Sequence, residues 1–285
     1  MTASRSPVAR DVMTAPVFAV SPSDTVACAR NLMIKHHISR VLVMENGKLT
    51  GVLTKKDLGY RRKQDEAAWR RRSLDQNTVM DLATPDPVVV PPDLPIKEIA
   101  GLFIRKNISC VPVVENGRVE GIVTKTDLMK STLVTGLSGT ARGVMEDAVT
   151  VSRWHSLAHV VSLISTRADK AVVTNNDGSV AGVITETDLA LHEAGRKHSG
   201  VTGYEVPINQ REGGSKMGSD LQRNPAEITA EEIMTSPAIT AEPDLPLPDA
   251  VALMRREQVN SLVILEKGTL VGIVKRDDII KEVTK

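Results

Sequence analysis

Residues 51–58 read Gly-Val-Leu-Thr-Lys-Lys-Asp-Leu, and the phrase returns as GIVTKTDL at 121–128, GVITETDL at 182–189 and GIVKRDDI at 272–279. Its fourth letter changes once, from Thr to Lys275. A phrase repeated in register marks an internally repeated architecture. Working back from the glycines gives four units of similar length, 11–58, 81–128, 143–189 and 232–279. Each opens with a related short phrase, DVMTAP, DLATPDP, GVMEDA or EIMTSP.

The letters inside each unit specify its elements. A short strand is expected at Val17–Val20, Val88–Val90, Val149–Val151 and Ala238–Ala241. A helical stripe follows, with Ile96, Ile99, Ala100 and Phe103 at i, i+3, i+4 and i+7 in the second unit. Leu157, Val160, Val161 and Ile164 repeat it in the third, and Leu247, Ala250, Val251 and Met254 in the fourth. The first keeps Val26, Ala29 and Met33 but places Arg30 in the stripe. Ser23-Asp24 and Pro248-Asp249 read as helix starts. Next, VLVMENGKLTGVL and VPVVENGRVEGIV set Asn-Gly between apolar runs, a hairpin signal because both residues tolerate positive φ. VVTNNDGSVAGVI and LVILEKGTLVGIV do the same with Asp-Gly and Lys-Gly. A second helix begins near the Asp of the repeated phrase. The unit is β-α-β-β-α, and one such sheet cannot cover both its faces, so units must pack in pairs.

Composition narrows the function classes. A net charge of +1, with 41% hydrophobic and 25% charged residues, describes an ordinary globular chain with no global attraction to nucleic acid or membrane. Aromatic residues are few, which disfavours base-stacking platforms. Cys28 and Cys110 need no disulfide framework and read as small buried apolar residues. No signal-peptide core or membrane-length apolar run is present, so a cytoplasmic location is expected. His192 and His198 have no nearby ligand pair, and no metal site is expected. Trp69 and Trp154 read as packing anchors. The segment 61–72, with RRK and RRR flanking Trp69, reads as a solvated linker helix, and 193–228 as a glycine-rich flexible insertion.

Thr-x-x-Asp before a helix has two readings. It can be a helix-start box in which Thr54 accepts from an orphan N–H while Asp57 favours the positive end of the helix. It can also be a ligand site, since a carboxylate accepts from a ribose diol and hydroxyls bond phosphate or sugar oxygens. No nucleophile, base and orienting group converge on it.

Four β-α-β-β-α units, each ending in Gly-apolar-apolar-Thr-x-x-Asp, resemble tandem cystathionine β-synthase (CBS) domains. The resemblance implies α/β repeats: repeat 1 over 8–60, repeat 2 over 78–135, the insertion at 193–228 between repeat 3 over 140–192 and repeat 4 over 229–285. Pairs of repeats would form Bateman modules in a disc-like pseudo-dimer similar to the regulatory γ subunit of AMP-activated protein kinase. The short linker 129–142 favours pairing repeats 2 and 3, whereas the family pairs 1 with 2 and 3 with 4; the family pairing is preferred because loop-closure costs grow slowly.

The same resemblance implies a non-catalytic regulatory sensor whose ligand is an adenine nucleotide or S-adenosylmethionine, with no catalytic cofactor. Asp57, Asp127, Asp188 and Asp278 would hold the ribose. Thr54, Thr124, Thr126, Thr185 and Thr187 would serve sugar or phosphate, with Arg40 and Lys170 as cations. Repeat 2 has Ser109-Cys110 and repeat 4 Asn260-Ser261 at that position, so neither supplies a local cation. Lys275 could serve phosphate itself. The expected order of sites is therefore Asp57 and Asp188, then Asp127, then Asp278. A homo-oligomer or a regulated protein partner fits this role. The competing readings are a nucleic-acid-binding regulator using 61–72 and a structural scaffold with empty clefts.

Overall fold

The computed structural model describes residues 6–60, 77–166, 168–193 and 228–285. The basic segment 61–72 with Trp69, and most of the expected insertion, 194–227, lie outside the described residues. Every repeat contains the expected hairpin: β2 (Arg40–Glu45) with β3 (Lys48–Thr54), β5 (Cys110–Glu115) with β6 (Arg118–Thr124), β8 (Lys170–Thr174) with β9 (Val180–Thr185), and β11 (Ser261–Glu266) with β12 (Thr269–Lys275). Asn46 and Gly47 take φ of 51° and 77°, and Asn116 and Gly117 take 50° and 78°, the double positive φ of a two-residue hairpin turn. The first strands are shorter than expected in repeats 1, 2 and 4, and in repeat 3 the strand is shifted by one residue. They pair in parallel with the hairpin as β1 (Ala19–Val20), β7 (Thr150–Ser152) and β10 (Thr240–Ala241), while Val90 makes an isolated parallel bridge to Val113.

The first helix of each repeat spans Val26–Lys35, Ile96–Arg105, Leu157–Thr166 or Leu247–Arg256. Its apolar stripe is buried in repeats 2 and 4 as the spacing predicts. Starts differ from expectation. Thr25 caps the first helix by accepting from the Cys28 N–H, while Asp24 closes a turn by accepting from the Ser21 N–H. In repeat 4 the cap is Pro246, with Pro248 inside the first turn. Cys28 is exposed on its helix, because the buried stripe runs through Val26, Ala29 and Met33 instead. Trp154 does not anchor packing: it is 58% exposed, with the Arg153 guanidinium 5.2 Å from its ring centre.

The repeats are joined by exchange of their opening phrases. The phrase of repeat 1 crosses to repeat 2, where the Ala9 N–H donates to the Leu94 carbonyl and Thr14 exchanges backbone hydrogen bonds with Ile122 of 2.9 and 3.1 Å. The phrase of repeat 2 crosses back as helix Val79–Leu82 and β4 (Thr84–Pro85), which extends the sheet of repeat 1 beside β3. Repeat 3 sends Glu146 to Ile273 of repeat 4, and repeat 4 sends Thr235 to Val183 of repeat 3. This is the family pairing, 1 with 2 and 3 with 4; the short 129–142 linker does not set the partners.

The exchange completes the cores. Val79, Leu82 and Ala83 are buried among residues of repeat 1, and Ile228, Ala230 and Ile233 among those of repeat 3. The described residues fall into two compact units. One unit holds repeats 1 and 2, the opening phrase of repeat 3 and most of repeat 4; the other holds the rest of repeat 3 and the opening phrase of repeat 4. Inside the first unit one continuous core joins repeats 2 and 4, with Phe103 and Ile99 in the same cluster as Ile279, Ile280 and Val283. Above it Lys125, whose side chain is only 7% exposed, donates to Asp277 Oδ2 at 2.7 Å. No described helix is long and apolar enough to cross a membrane.

The glycine that opens each repeated phrase follows from the exchange. A Cβ on Gly182 would stand 2.6 Å from the Thr235 carbonyl oxygen, and one on Gly121 would stand 2.6 Å from Met13 Sδ. At both positions the incoming phrase lies on the bare backbone. Gly182→Ala is therefore expected to destabilise by about 1–3 kcal/mol, because its clash is with backbone that cannot rotate away. Gly121→Ala should cost less, since the nearest atom is the end of a flexible Met. Gly143→Ala, where nothing lies within 4 Å, serves as the clash-free control. Urea unfolding midpoints test the order; equal midpoints for Gly182→Ala and Gly143→Ala would contradict it. Asp277→Ala should cost about 1–3 kcal/mol on the same assay by removing the partner of the buried Lys125 ammonium.

Candidate functional site

The end of each hairpin delivers the motif. Thr54 closes β3, and helix Lys55–Tyr60 begins at once. The Thr54 N–H and hydroxyl both donate to Asp57 Oδ2, at 2.8 and 2.7 Å, and the Asp57 N–H approaches Thr54 Oγ1 at 3.3 Å. Thr124 with Asp127 and Thr185 with Asp188 repeat the arrangement to within 0.1 Å. In repeat 4 the Lys275 N–H donates to Asp278 Oδ2 at 2.9 Å, and no hydroxyl joins it. The helix-start box is thus built in all four repeats, satisfying backbone donors that a helix terminus otherwise leaves open.

The box occupies one carboxylate oxygen. Asp127, Asp188 and Asp278 are 6%, 8% and 4% exposed, so the charge on the other oxygen also needs partners. Those partners come from the exchanged phrases. Thr14 Oγ1 lies 3.4 Å from Asp127 Oδ1, and the Thr235 hydroxyl donates to Asp188 Oδ1 at 3.1 Å. In repeat 4 the corresponding phrase residue is Glu146, which forms an ion pair with Lys275. There Asp278 Oδ1 accepts instead from Lys281 Nζ at 2.9 Å, a bond that raises the lysine pKa. The side chains expected to receive a ligand in repeat 4, Lys275 and Asp278, are therefore held by Glu146 and Lys281.

The two expected cations, Arg40 and Lys170, both contact other residues of the chain. Arg40 Nη1 donates to the Ser109 carbonyl at 2.8 Å, placing the repeat 1 guanidinium against the second strand of repeat 2. Burial, and then the nearby Arg40 charge, lower the pKa of Lys55, while burial pushes the Cys110 thiol up against the pull of Arg40. Lys170 is largely buried and lies 3.3 Å from Asp169. Thr187 is exposed, and Thr126 Oγ1 accepts from Arg276 Nη1 at 3.1 Å. Arg276 also donates to Asn260 Oδ1 at 3.0 Å. Sequence reasoning did not place Thr14, Thr235, Glu146 or Arg276 at the site. A signal for three of them existed: Thr sits at one position of the opening phrase in repeats 1, 2 and 4, and only repeat 3, whose phrase meets Lys275, has Glu there.

Among the described residues no group of three His, Cys, Asp or Glu could hold a metal ion. The arrangement offers buried carboxylates, hydroxyls and guanidinium groups, which can recognise a ligand through hydrogen bonds.

Comparison with known proteins gives the same pattern. The CBS domain family matches residues 9–58, 79–133 and 230–285, more than half of the chain. Uncharacterized protein MJ1404 of Methanocaldococcus jannaschii is 24% identical over 286 residues, covering 95% of this chain and 61% of that protein. CBS domain-containing protein YhcV of Bacillus subtilis is 29% identical over 132 residues, covering 46% of this chain and 90% of that one. The inosine-5'-monophosphate dehydrogenase of Korarchaeum cryptofilum is 35% identical over 122 residues, but the chain spans only 22% of that enzyme. The crystal structure of protein MJ1225 from Methanocaldococcus jannaschii shares the fold, with a TM-score of 0.74 at 18% identity over 96% of this chain and 99% of that one. With four copies of one capped hairpin unit and three segments matched, this chain belongs to the CBS domain family.

Proposed function

We propose that the protein is a non-catalytic sensor that binds adenosine-containing ligands beside its motif aspartates. AMP, ADP, ATP and S-adenosylmethionine are the candidates, and the ribose diol is the part they share. The observation that carries this reading is the division of labour within each carboxylate. In repeats 1, 2 and 3 the helix start is served by Oδ2 of Asp57, Asp127 and Asp188. An ionised carboxylate has about four acceptor positions over its two oxygens, so Oδ1 retains capacity for a diol. Thr14 and Thr235 hydroxyls beside it suit the sugar edge.

Output follows from the same acceptor. A ligand taking Oδ1 of Asp188 competes with Thr235, a residue of the exchanged phrase that also bridges Val183. Binding and the seating of that phrase are thereby linked, and a ligand shifts only an equilibrium whose states it binds differently. Repeat 4 is assigned no ligand, since Lys281 and Glu146 satisfy its motif side chains.

A thermal-shift panel of adenosine, AMP, ADP, ATP and S-adenosylmethionine selects the ligand, because binding to the native state alone stabilises by about 2.7 kcal/mol at 100 times the Kd. Calorimetric titration then compares the intact protein with Asp57→Asn, Asp188→Asn and Asp278→Asn. Asn replaces one acceptor by a donor while remaining a tolerable helix-start residue. Affinity at the altered site should fall about ten-fold or more for Asp57→Asn and Asp188→Asn, the loss of a charge-assisted hydrogen bond. Asp278→Asn should leave ligand affinity and site number unchanged. Unaltered binding in both of the first two variants would leave the motif a helix cap and nothing more.

A further inference from the structure

Repeat 2 carries Cys110 where repeat 1 has Arg40 and repeat 3 has Lys170, so it has no cation of its own beside Asp127. The structure supplies cations from elsewhere. Arg276 belongs to the repeat 4 phrase, yet its Nη1 donates across to Thr126 Oγ1, the residue next to Asp127 in sequence. Asn260 Oδ1 holds the same nitrogen at 3.0 Å. The Arg276 Nε is buried and, among the described residues, has no hydrogen-bond partner. A buried guanidinium N–H without an acceptor is costly, and such groups are rare unless they serve a ligand or a strained site.

Arg40 approaches the same place from repeat 1. Its Nη1 donates to the Ser109 carbonyl, which also accepts from the Lys125 N–H at 3.1 Å. Guanidinium groups of repeats 1 and 4 thus flank the backbone step from Lys125 to Thr126. Lys125 itself is neutralised by Asp277. Burial lowers the Arg276 pKa foremost, and Arg40 lowers it further, while Asp277 and Asp127 raise it. Two like charges held this close favour an anion between them.

We infer that Arg276 is a binding residue of the Asp127 cleft, supplied in trans by repeat 4, and that with Arg40 it selects a phosphorylated nucleoside there over an uncharged or cationic one. This rests on the adenosine reading above and adds the charge of the ligand and the identity of its receptor. It also gives the repeat 4 phrase a role: its own carboxylate is occupied, while its arginine faces a neighbouring cleft. The expected order of sites changes accordingly, and the Asp127 cleft becomes the strongest site for phosphate.

The test is calorimetric titration of the full chain with adenosine and with AMP, which differ by the phosphate. In the intact protein AMP should bind more tightly than adenosine at the site that Asp127→Asn removes. Arg276→Gln should weaken AMP about ten-fold or more there and leave adenosine unchanged, and in an Asp127→Asn background it should add no further loss. Arg276→Lys keeps a charge near the buried position and loses the planar fork, so it should give a smaller loss, again confined to AMP. If Arg276→Gln does not fold, the lysine variant carries the comparison. Equal losses for adenosine and AMP would make Arg276 structural and overturn the inference, as would no loss in either variant. An intact protein that binds AMP and adenosine equally at every site would sink this inference alone. One that binds neither would sink the adenosine reading, and this with it.

Discussion

The structure depends on one backbone contact made four times: the opening phrase of each repeat lies against the glycine of its partner's hairpin. At Thr14 with Ile122, Glu146 with Ile273 and Thr235 with Val183 the contact is a pair of backbone hydrogen bonds. At Thr84 it becomes a strand pairing with Val52. A single repeat cannot bury its own core, since residues such as Leu82 and Ile233 arrive from the other member of the pair. The glycine is needed because a side chain would occupy the volume the phrase requires, and the hairpin positions that must stay open are therefore the ones that repeat most strictly.

The motif carboxylate has two structural tasks before any ligand is considered. It closes a helix start through Oδ2, and at Asp127 and Asp188 its Oδ1 faces a hydroxyl of the exchanged phrase. A group used in this way is buried and oriented without a ligand, which is the preorganisation that recognition requires. Helix cap and binding group are consequently not alternatives. The cap geometry fixes where the acceptor points, and the acceptor's spare capacity is what a diol could use.

Much of this was legible in the residues. Asn46-Gly47 and Asn116-Gly117 specify hairpins through their φ angles, and the stripe of Ile96, Ile99, Ala100 and Phe103 specifies a buried helix face. These are local rules, and they hold locally. Cys28 and Trp154 were misread because residue type was used where position on the helix or before it decides exposure. The helix cap at Thr25 rather than at Ser23-Asp24 reflects competition, since the Asp24 carboxylate is taken by a preceding turn. The cations of repeat 2 were illegible for a different reason. Arg40 and Arg276 lie far from repeat 2 along the chain, and only the packing of three repeats brings them against its Ser109 and Thr126.

Repeat 4 shows how such a scaffold changes use without changing fold. Its motif has Lys275 where the others have Thr, and the phrase that meets it has Glu146 where the others have Thr. Either change alone would strand a charge in a half-buried position; together they form an ion pair. Such a pair adds little net stability over neutral residues of the same size, because desolvation offsets most of the attraction. Its consequence is instead positional: Lys275 and Glu146 hold each other, Lys281 holds Asp278, and the helix start remains intact through the Lys275 N–H. With its own carboxylate occupied, the phrase still presents residues 276 and 277 toward repeat 2, where Asp277 accepts from Lys125 and Arg276 donates to Thr126. The two positions before the motif Asp, variable among the four phrases, are thus where repeats 2 and 4 address each other, while the repeated Gly and Asp serve the fold of each.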